Sequence, residues 1–235
     1  MRTIDISADL GESAPDEDAI WPLITSANVA CGGHIGDAAS MREAAERAQV
    51  LGVRLGAHPS YPDRANFGRV SLSLPPDTLR ASLISQIESL RAFAPLHHVK
   101  PHGALYNDAH RDYPLAEVVI SALQGLAIVC PDHSQMAAAA RAAGVPVIRE
   151  AFADRRYEPD GSLMSRKLAG SLLTVEEAAA QAALLVSEGA VIARDGTRVP
   201  IAFDTICIHA DMADALPRLR AVHARIRNLS RSTVV

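Results

Sequence analysis

Alternation is the feature that most constrains this chain. Seven short apolar segments recur, at Thr3–Ala8, Ile24–Ala30, Val53–Ala57, His97–Lys100, Leu126–Cys130, Val145–Ala151 and Thr205–His209. Turn residues follow each, and then usually a stretch with helical period. Short continuous apolar runs read as strands buried on both faces. Strands separated by helices pair in parallel, because a parallel neighbour needs a long crossover.

The intervening stretches carry their own start and stop signals. Ser40–Glu43 reads as a capping box, followed by Met41, Ala44, Ala45, Ala48 and Leu51 at helical spacing. Asp77 is expected to cap the next helix, with Leu79, Leu83, Ile87, Leu90 and Ala94 as its stripe. Leu115, Val118, Val119 and Ala122 mark another helix, and the alanine run of Met136–Ala143 a further one. Thr174–Glu177 is a second capping box, and Leu219, Val222, Ile226 and Leu229 share one face of the last helix. Asp195-Gly196, between Val191–Ala193 and Val199–Ala202, predicts a hairpin turn before the seventh strand.

Two parallel architectures fit this order, an open doubly wound sheet and a closed barrel. The chain has neither G-x-G-x-x-G nor G-x-x-x-x-G-K-[ST], the phosphate loops of open nucleotide-binding sheets. Polar residues instead follow nearly every apolar segment, as in a barrel whose strand ends surround one site. We expect a distorted seven-stranded (β/α) barrel forming one domain over residues 1–235. With 49 % hydrophobic residues the chain has enough apolar surface for such a core.

Charge and composition exclude several functions. The net charge is −4 and no long basic run occurs, which argues against nucleic acid and against a polybasic membrane surface. No apolar run approaches the ~20 residues that span a bilayer, and Met1–Asp5 lacks a signal-peptide core. The three cysteines, Cys31, Cys130 and Cys207, are too few and too scattered for a disulfide framework. A soluble cytoplasmic protein is expected.

Chemistry concentrates at the strand ends. Lys100-Pro101-His102-Gly103 puts an ammonium and an imidazole where a proline must end strand pairing. Such a pair suits acid–base work or anion stabilisation. Asp9 and Glu12 follow the first strand, as acid and base or as a metal ligand. In Ser26–Asp37, Asn28 falls inside an apolar strand and needs hydrogen-bond partners. Gly32 and Gly33 offer amides to an anion, His34 follows at once, and Cys31 reads as a packing residue. His58 ends the third strand, and the stiff loop behind it carries Arg64 and Arg69, able to grip a carboxylate or phosphate. Arg149–Tyr157 holds five charges, including Glu150, Asp154 and Arg155, in which salt bridges compete with catalysis. His209 ends the seventh strand, and Asp211 either orients it or caps the following helix. Thus four of nine histidines, His34, His58, His102 and His209, fall at strand ends, while His97, His98, His110, His133 and His223 have no such place.

These stretches together resemble the LamB/YcsF family, the A subunit of bacterial ATP-dependent 5-oxoprolinase. The matching motifs are Asp9–Glu12, Ser26–His34, Gly56–Asp63, Phe67–Arg69, His98–Asn107, Glu150–Tyr157 and Cys207–Asp211, in the family's order over nearly the whole chain. The chain departs from the family's usual pattern at Ser7-Ala8, Val70 and Ala210. The resemblance implies a barrel of the glycoside hydrolase/deacetylase type. It also implies 5-oxo-L-proline as substrate, opened to L-glutamate with ATP hydrolysis, and separate B and C subunits.

Lactam opening needs a base, an acid and cations for phosphate and carboxylate. For catalysis we select Asp9, Glu12, His58, Lys100 and His102. For substrate binding we select Asn28, Gly32, Gly33, His34, Arg69, Asp154, Arg155, His209 and Asp211. ATP with Mg²⁺ is expected mainly on the partner subunits, and no tightly bound metal is expected, because H-E-x-x-H and short Cys/His spacings are absent. Two alternatives remain. One is a metal-dependent, deacetylase-like hydrolase with Asp9, His34 and His58 as ligands. The other is a small-molecule-binding regulatory subunit without turnover.

Overall fold

The structure, a computed structural model, describes residues 4–211 and 214–232. Seven parallel strands close into a barrel. They are β1 (Asp5–Leu10), β2 (Ser26–Ala30), β3 (Arg54–His58), β4 (His98–Val99), β5 (Ala127–Cys130), β6 (Val147–Phe152) and β9 (Thr205–Cys207). Each pairs with the next in that order, and β9 closes the ring against β1. The hairpin at Asp195-Gly196 forms as expected, joining β7 (Ala190–Ile192) and β8 (Arg198–Pro200) in an antiparallel pair outside the barrel. Every expected strand is present within a few residues. Thr3, the expected start of the first strand, lies outside the described residues.

The helices are α1 (Glu17–Ile20), α2 (Ala38–Leu51), α3 (Pro76–Arg91), α4 (Gly103–Arg111), α5 (Tyr113–Ser121), α6 (Gln135–Ala142), α7 (Val175–Glu188) and α8 (Ala215–Ser232). Thr174 and Glu177 form the expected capping box on α7. The box on α2 sits three residues earlier than expected. Asp37 accepts from the Ala39 and Ser40 amides at 3.0 and 2.9 Å, and Ser40 Oγ accepts from the Asp37 amide at 2.9 Å. A short acceptor already precedes Ser40, so the helix starts there. Asp77 is not the cap of α3. That helix begins at Pro76, whose fixed φ suits the first turn, and Asp77 contributes charge there instead.

The strands differ from the continuous apolar runs expected of them. Ile6, Ala8, Leu10, Ala27, Val29, Leu55, Ala57, Val99 and Ile206 belong to the buried apolar core, and Met41, Leu83, Ile87, Leu105 and Val222 of the helices join them there. The alternate positions are largely polar yet buried, among them Ser7, Asp9, Asn28, His98, Lys100, Glu150 and Thr205. The barrel therefore carries a polar axis inside an apolar shell, which is the arrangement that positions a site. Among the described residues no helix is long and apolar enough to cross a membrane.

Candidate active site at the barrel mouth

Strand register builds the site from below. Asp9, Asn28, Gly56 and His98 stand side by side on β1 to β4. Gly56 has no side chain, and a Cβ there would lie 2.1 Å from His98 Nε2. The His98 ring fills that space and donates to Asn28 Oδ1 at 2.8 Å, while Asn28 Nδ2 donates to Asp9 Oδ1 at 2.9 Å. Asn28 thus finds the partners a buried amide needs, but it serves Asp9 and does not line the mouth. His98, which had no assigned place, anchors it.

Lys100 lies one step above this row. Its Nζ donates to Asp9 Oδ1 at 2.9 Å, pairs with Glu150 Oε1 at 2.7 Å, and lies 3.1 Å from Cys207 Sγ. Tyr106 donates its hydroxyl to Glu150 Oε2 at 2.7 Å. Burial opposes both charges of the Asp9–Lys100 pair, but their mutual attraction outweighs it. Asp9 is held well below the usual carboxylate range and Lys100 well above the usual amine value. Lys100 is therefore a fixed positive charge.

Four groups converge beside it. Glu12 Oε1 lies 2.9 Å from His34 Nε2, 3.1 Å from His102 Nδ1 and 3.6 Å from His58 Nε2. His58 Nε2 and His102 Nδ1 are 3.0 Å apart, and the rings of His34 and His102 stack at 3.7 Å. Burial alone would raise Glu12, but its contacts with His102 and His34 keep its carboxyl low. Burial pushes His58 down to about 3 and lowers His34 as well. Gly68 makes room for this packing, since a Cβ there would press on His34 Cβ at 3.0 Å and His102 Cδ2 at 3.2 Å. The metal-dependent alternative named Asp9, His34 and His58 as ligands. Glu12, His34, His58 and His102 bring one ligand atom each within 4.8 Å of one another, while Asp9 pairs with Lys100 and reaches His58 Nε2 with its other oxygen at 3.6 Å.

A third unit faces them. Asp154 Oδ2 accepts from His209 Nδ1 at 2.8 Å and from the His209 amide at 3.1 Å, and the His209 ring stacks on Phe152. Asp154 is fully buried behind His209, so it orients that ring and is not itself a surface for substrate. The sequence offered Asp211 for this role. Asp211 instead pairs with Arg69 at 2.5 Å and with Arg166 at 3.8 Å.

A cavity of about 530 Å³ opens among these units, lined by Asp9, Glu12, His58, Lys100, His102 and His209. Arg69, Arg155, Arg166 and Lys167 also line it, with Asp211 set against Arg69 and Arg166, so its wall carries more basic than acidic groups. Arg155 is buried with Nε unpartnered, while one terminal nitrogen donates to the Met164 carbonyl at 2.6 Å. Three expected contributors lie elsewhere. The Gly32 amide is spent on the Ile35 carbonyl at 2.8 Å. A Cβ on Gly33 would strike Gln86 Oε1 at 2.2 Å, so that glycine is packed against α3. Arg64 donates to the Gly32 and Gly36 carbonyls at 3.1 and 2.8 Å, and staples its neighbouring loop. Neither the glycine pair nor Arg64 lines this cavity. Burial pushes Cys31 up to about 12, which agrees with its reading as a packing residue.

Sequence reasoning missed Glu150 as a partner of the central lysine, Tyr106 as the donor to Glu150, and Arg166 and Lys167 as lining residues. Glu150 had a signal, since a carboxylate inside an apolar strand needs a cation. Which cation it meets depends on barrel closure.

Comparison with known proteins agrees with this fold. The profile of the LamB/YcsF family matches residues 4–234. The A subunit of 5-oxoprolinase from Methylococcus capsulatus is 47 % identical over 229 residues, covering 91 % of this chain and 88 % of that protein. Its namesake from Chloroflexus aurantiacus is 47 % identical over 238 residues, covering 94 % of each. The crystal structure of a lactam utilization protein from Thermus thermophilus superposes with a TM-score of 0.91 at 40 % identity, over 97 % of each chain. With its motifs, its barrel and its relatives in agreement, the chain belongs to the LamB/YcsF family.

Proposed function

We propose that this chain is the A subunit of an ATP-dependent 5-oxoprolinase, which opens the lactam of 5-oxo-L-proline to L-glutamate together with B and C subunits. The observation that carries this reading is Lys100, a buried ammonium between Asp9 and Glu150 at the wall of a cavity that carries more basic than acidic groups. A lactam amide is resonance-stabilised and a poor electrophile. Phosphorylation of its carbonyl oxygen by ATP, with ADP leaving, would activate it, so that water adds, the C–N bond breaks, and a second water hydrolyses the resulting acyl phosphate to glutamate and phosphate. An anionic substrate and a developing oxyanion both call for preorganised positive charge. Lys100 supplies it at the reacting carbonyl, and Arg69 and Arg155 supply it for the substrate carboxylate or the phosphate.

The proton chemistry falls to the imidazoles and carboxylates. His209, fixed through Nδ1 by Asp154, presents its other nitrogen and supports the role of acid to the departing lactam nitrogen. Glu12 and Asp9 stay ionised in their surroundings and orient the attacking water. The nucleotide and its Mg²⁺ belong mainly to the partner subunits in this scheme, since no Walker-type loop occurs in the chain.

The test is reconstitution. The purified chain with ATP, Mg²⁺ and 5-oxoproline should release little phosphate or glutamate, and adding the partner subunits should release both. No 5-oxoproline-dependent glutamate from the complete assembly would overturn the assignment. Full-rate release by the lone chain would overturn the division of labour.

A further inference from the structure

We infer that Glu12, His34, His58 and His102 form a binding site for one divalent transition-metal ion at the edge of the cavity. The argument begins with protons. His58 Nδ1 donates to the Lys100 carbonyl at 2.7 Å, and His102 Nε2 donates to the Phe67 carbonyl at 3.0 Å. A carbonyl only accepts, so each outer nitrogen carries the hydrogen. The neutral rings then aim two lone pairs at each other, His58 Nε2 against His102 Nδ1 at 3.0 Å. Glu12 Oε1 brings a third acceptor, 3.1 and 3.6 Å from the same nitrogens. Acceptors packed this closely inside a protein require a cation among them. One extra proton on His102 removes the two oppositions that involve its Nδ1 and leaves His58 Nε2 facing Glu12 Oε1 at 3.6 Å. A metal ion satisfies all of them, together with His34 Nε2.

The ligand distances and the donor chemistry agree, with one adjustment: His34, stacked flat on His102, has to tilt for its in-plane lone pair to meet the same ion. Metal bonds of about 2.0–2.2 Å place neighbouring ligand atoms of a four-coordinate ion about 3.3 Å apart. Four of the six ligand-atom pairs, at 2.9, 3.0, 3.1 and 3.6 Å, straddle that spacing, and all six lie within 4.8 Å. Ring nitrogens tied to backbone carbonyls on their far side are the usual setting of metal-bound histidine, because the tie fixes tautomer and direction. Three imidazoles and one carboxylate suit Zn²⁺, Mn²⁺, Fe²⁺ or Co²⁺. They do not suit Mg²⁺, which prefers oxygen ligands and retained water, so this ion is separate from the one that accompanies ATP. The short motif spacings absent from the sequence are absent because the four ligands follow different strands and only barrel closure gathers them.

The experiment uses the untagged chain alone, stripped with a chelator, without ATP or lactam, so that it succeeds or fails independently of the 5-oxoprolinase reading. Cobalt titration should show one equivalent bound per chain, with the visible bands of a low-coordinate Co²⁺ site. Zn²⁺ should displace it and excess Mg²⁺ should not. Losing a residue that only orients a ligand costs about 10–100-fold in metal affinity, so Glu12→Gln and His102→Ala should each cost at least that. Glu12→Gln keeps the side-chain shape and guards against a misfolded His102→Ala, and His110→Ala, outside the cluster, should bind as the parent does. Absence of stoichiometric uptake, or equal binding by the parent and both cluster variants, would overturn the site and leave a proton shared by His102 as the cation.

Discussion

The two ends of this barrel are both polar, yet they spend their polarity differently. At the floor, Asp5 accepts from Thr25, from Ser26 Oγ at 2.8 Å and from Arg54 at 2.5 Å. Thr205 Oγ1 donates to Ser7 Oγ at 3.0 Å, and Arg149 makes a two-pronged pair with Asp204, both bonds 2.8 Å. At the mouth, His34 Nδ1, Asp154 Oδ1 and Arg155 Nε are buried without a partner. None of the floor groups just named has such an orphan among the described residues. Native proteins rarely leave buried polar atoms unsatisfied. The contrast teaches that the floor is finished as structure, whereas the mouth keeps capacity for a ligand.

The sharpest way to test this contrast is Lys100→Met. It strands two carboxylates, Asp9 and Glu150, in the interior. Breaking a buried pair by removing one partner costs about 3–5 kcal/mol, and losing a preorganised charge costs about 10²–10³ in rate. Denaturant unfolding and turnover of the reconstituted assembly should both fall. Adding Asp9→Asn and Glu150→Gln should recover stability without activity. Recovery of activity as well would show that the lysine is structural, and the contrast would fail at its centre.

Asp154→Asn ranks next. The floor analogy would make Asp154 a mere tie between strands, while the mouth reading makes it the orienter of His209. Misorienting a general acid costs about 10² in kcat, the lower end of what such catalysis contributes. The discriminating measurement is the pH profile of kcat, whose limb for the acid should shift in Asp154→Asn, whereas a simple loss of packing would lower the whole profile evenly.

Gly56→Ala moves the test toward the floor. A methyl 2.1 Å from the His98 ring has no space, and overpacking of this kind costs about 1–3 kcal/mol. Unfolding should show the loss. A smaller effect on turnover should pass through Asn28 to Asp9. If turnover collapses at unchanged stability, the row below Lys100 is part of the catalytic machinery.

The same contrast explains what the sequence could show. The seven strands were visible because apolar runs and turn residues are local signals, and Thr174–Glu177 was visible for the same reason. Lys100, His102, His58 and His209 were found because strand ends are local too, and a barrel gathers them. Their partners were hidden. Asp9 and Lys100 are 91 positions apart, and only register and closure join them. His98 had no reading from sequence because its purpose depends on the absent side chain of Gly56 two strands from Asp9. Asp211 suggested itself as an orienter of His209, or as a helix cap, because it is near in the chain, while the actual orienter, Asp154, is 55 positions away and adjacent in space.

The smallest expected effect belongs to Asp5→Asn, and it tests the floor directly. Asp5 is partly buried, and burial raises its pKa, but hydrogen bonds from Thr25, Thr205 and Ser26 and the charge of Arg54 outweigh that, leaving its carboxyl below the ordinary value. A group with a depressed folded pKa adds stability that is fully present above its unfolded pKa and is lost as pH falls through the folded value. The parent should therefore be more stable than Asp5→Asn at neutral pH, by about 1–2 kcal/mol for hydrogen bonds to a charged acceptor with an exposed arginine. Below the folded value of Asp5 the gap should close, because both chains then carry a neutral group there. Turnover should be unchanged at every pH where the variant is folded, since the Asn28 and His98 row stands between the floor and Asp9. Urea unfolding at stepped pH measures the gap, and turnover on the same samples measures its isolation. A gap that persists undiminished into acid would mean that Asp5 acts by shape and not by charge. A loss of turnover at neutral pH would mean that the two ends of the barrel are one network.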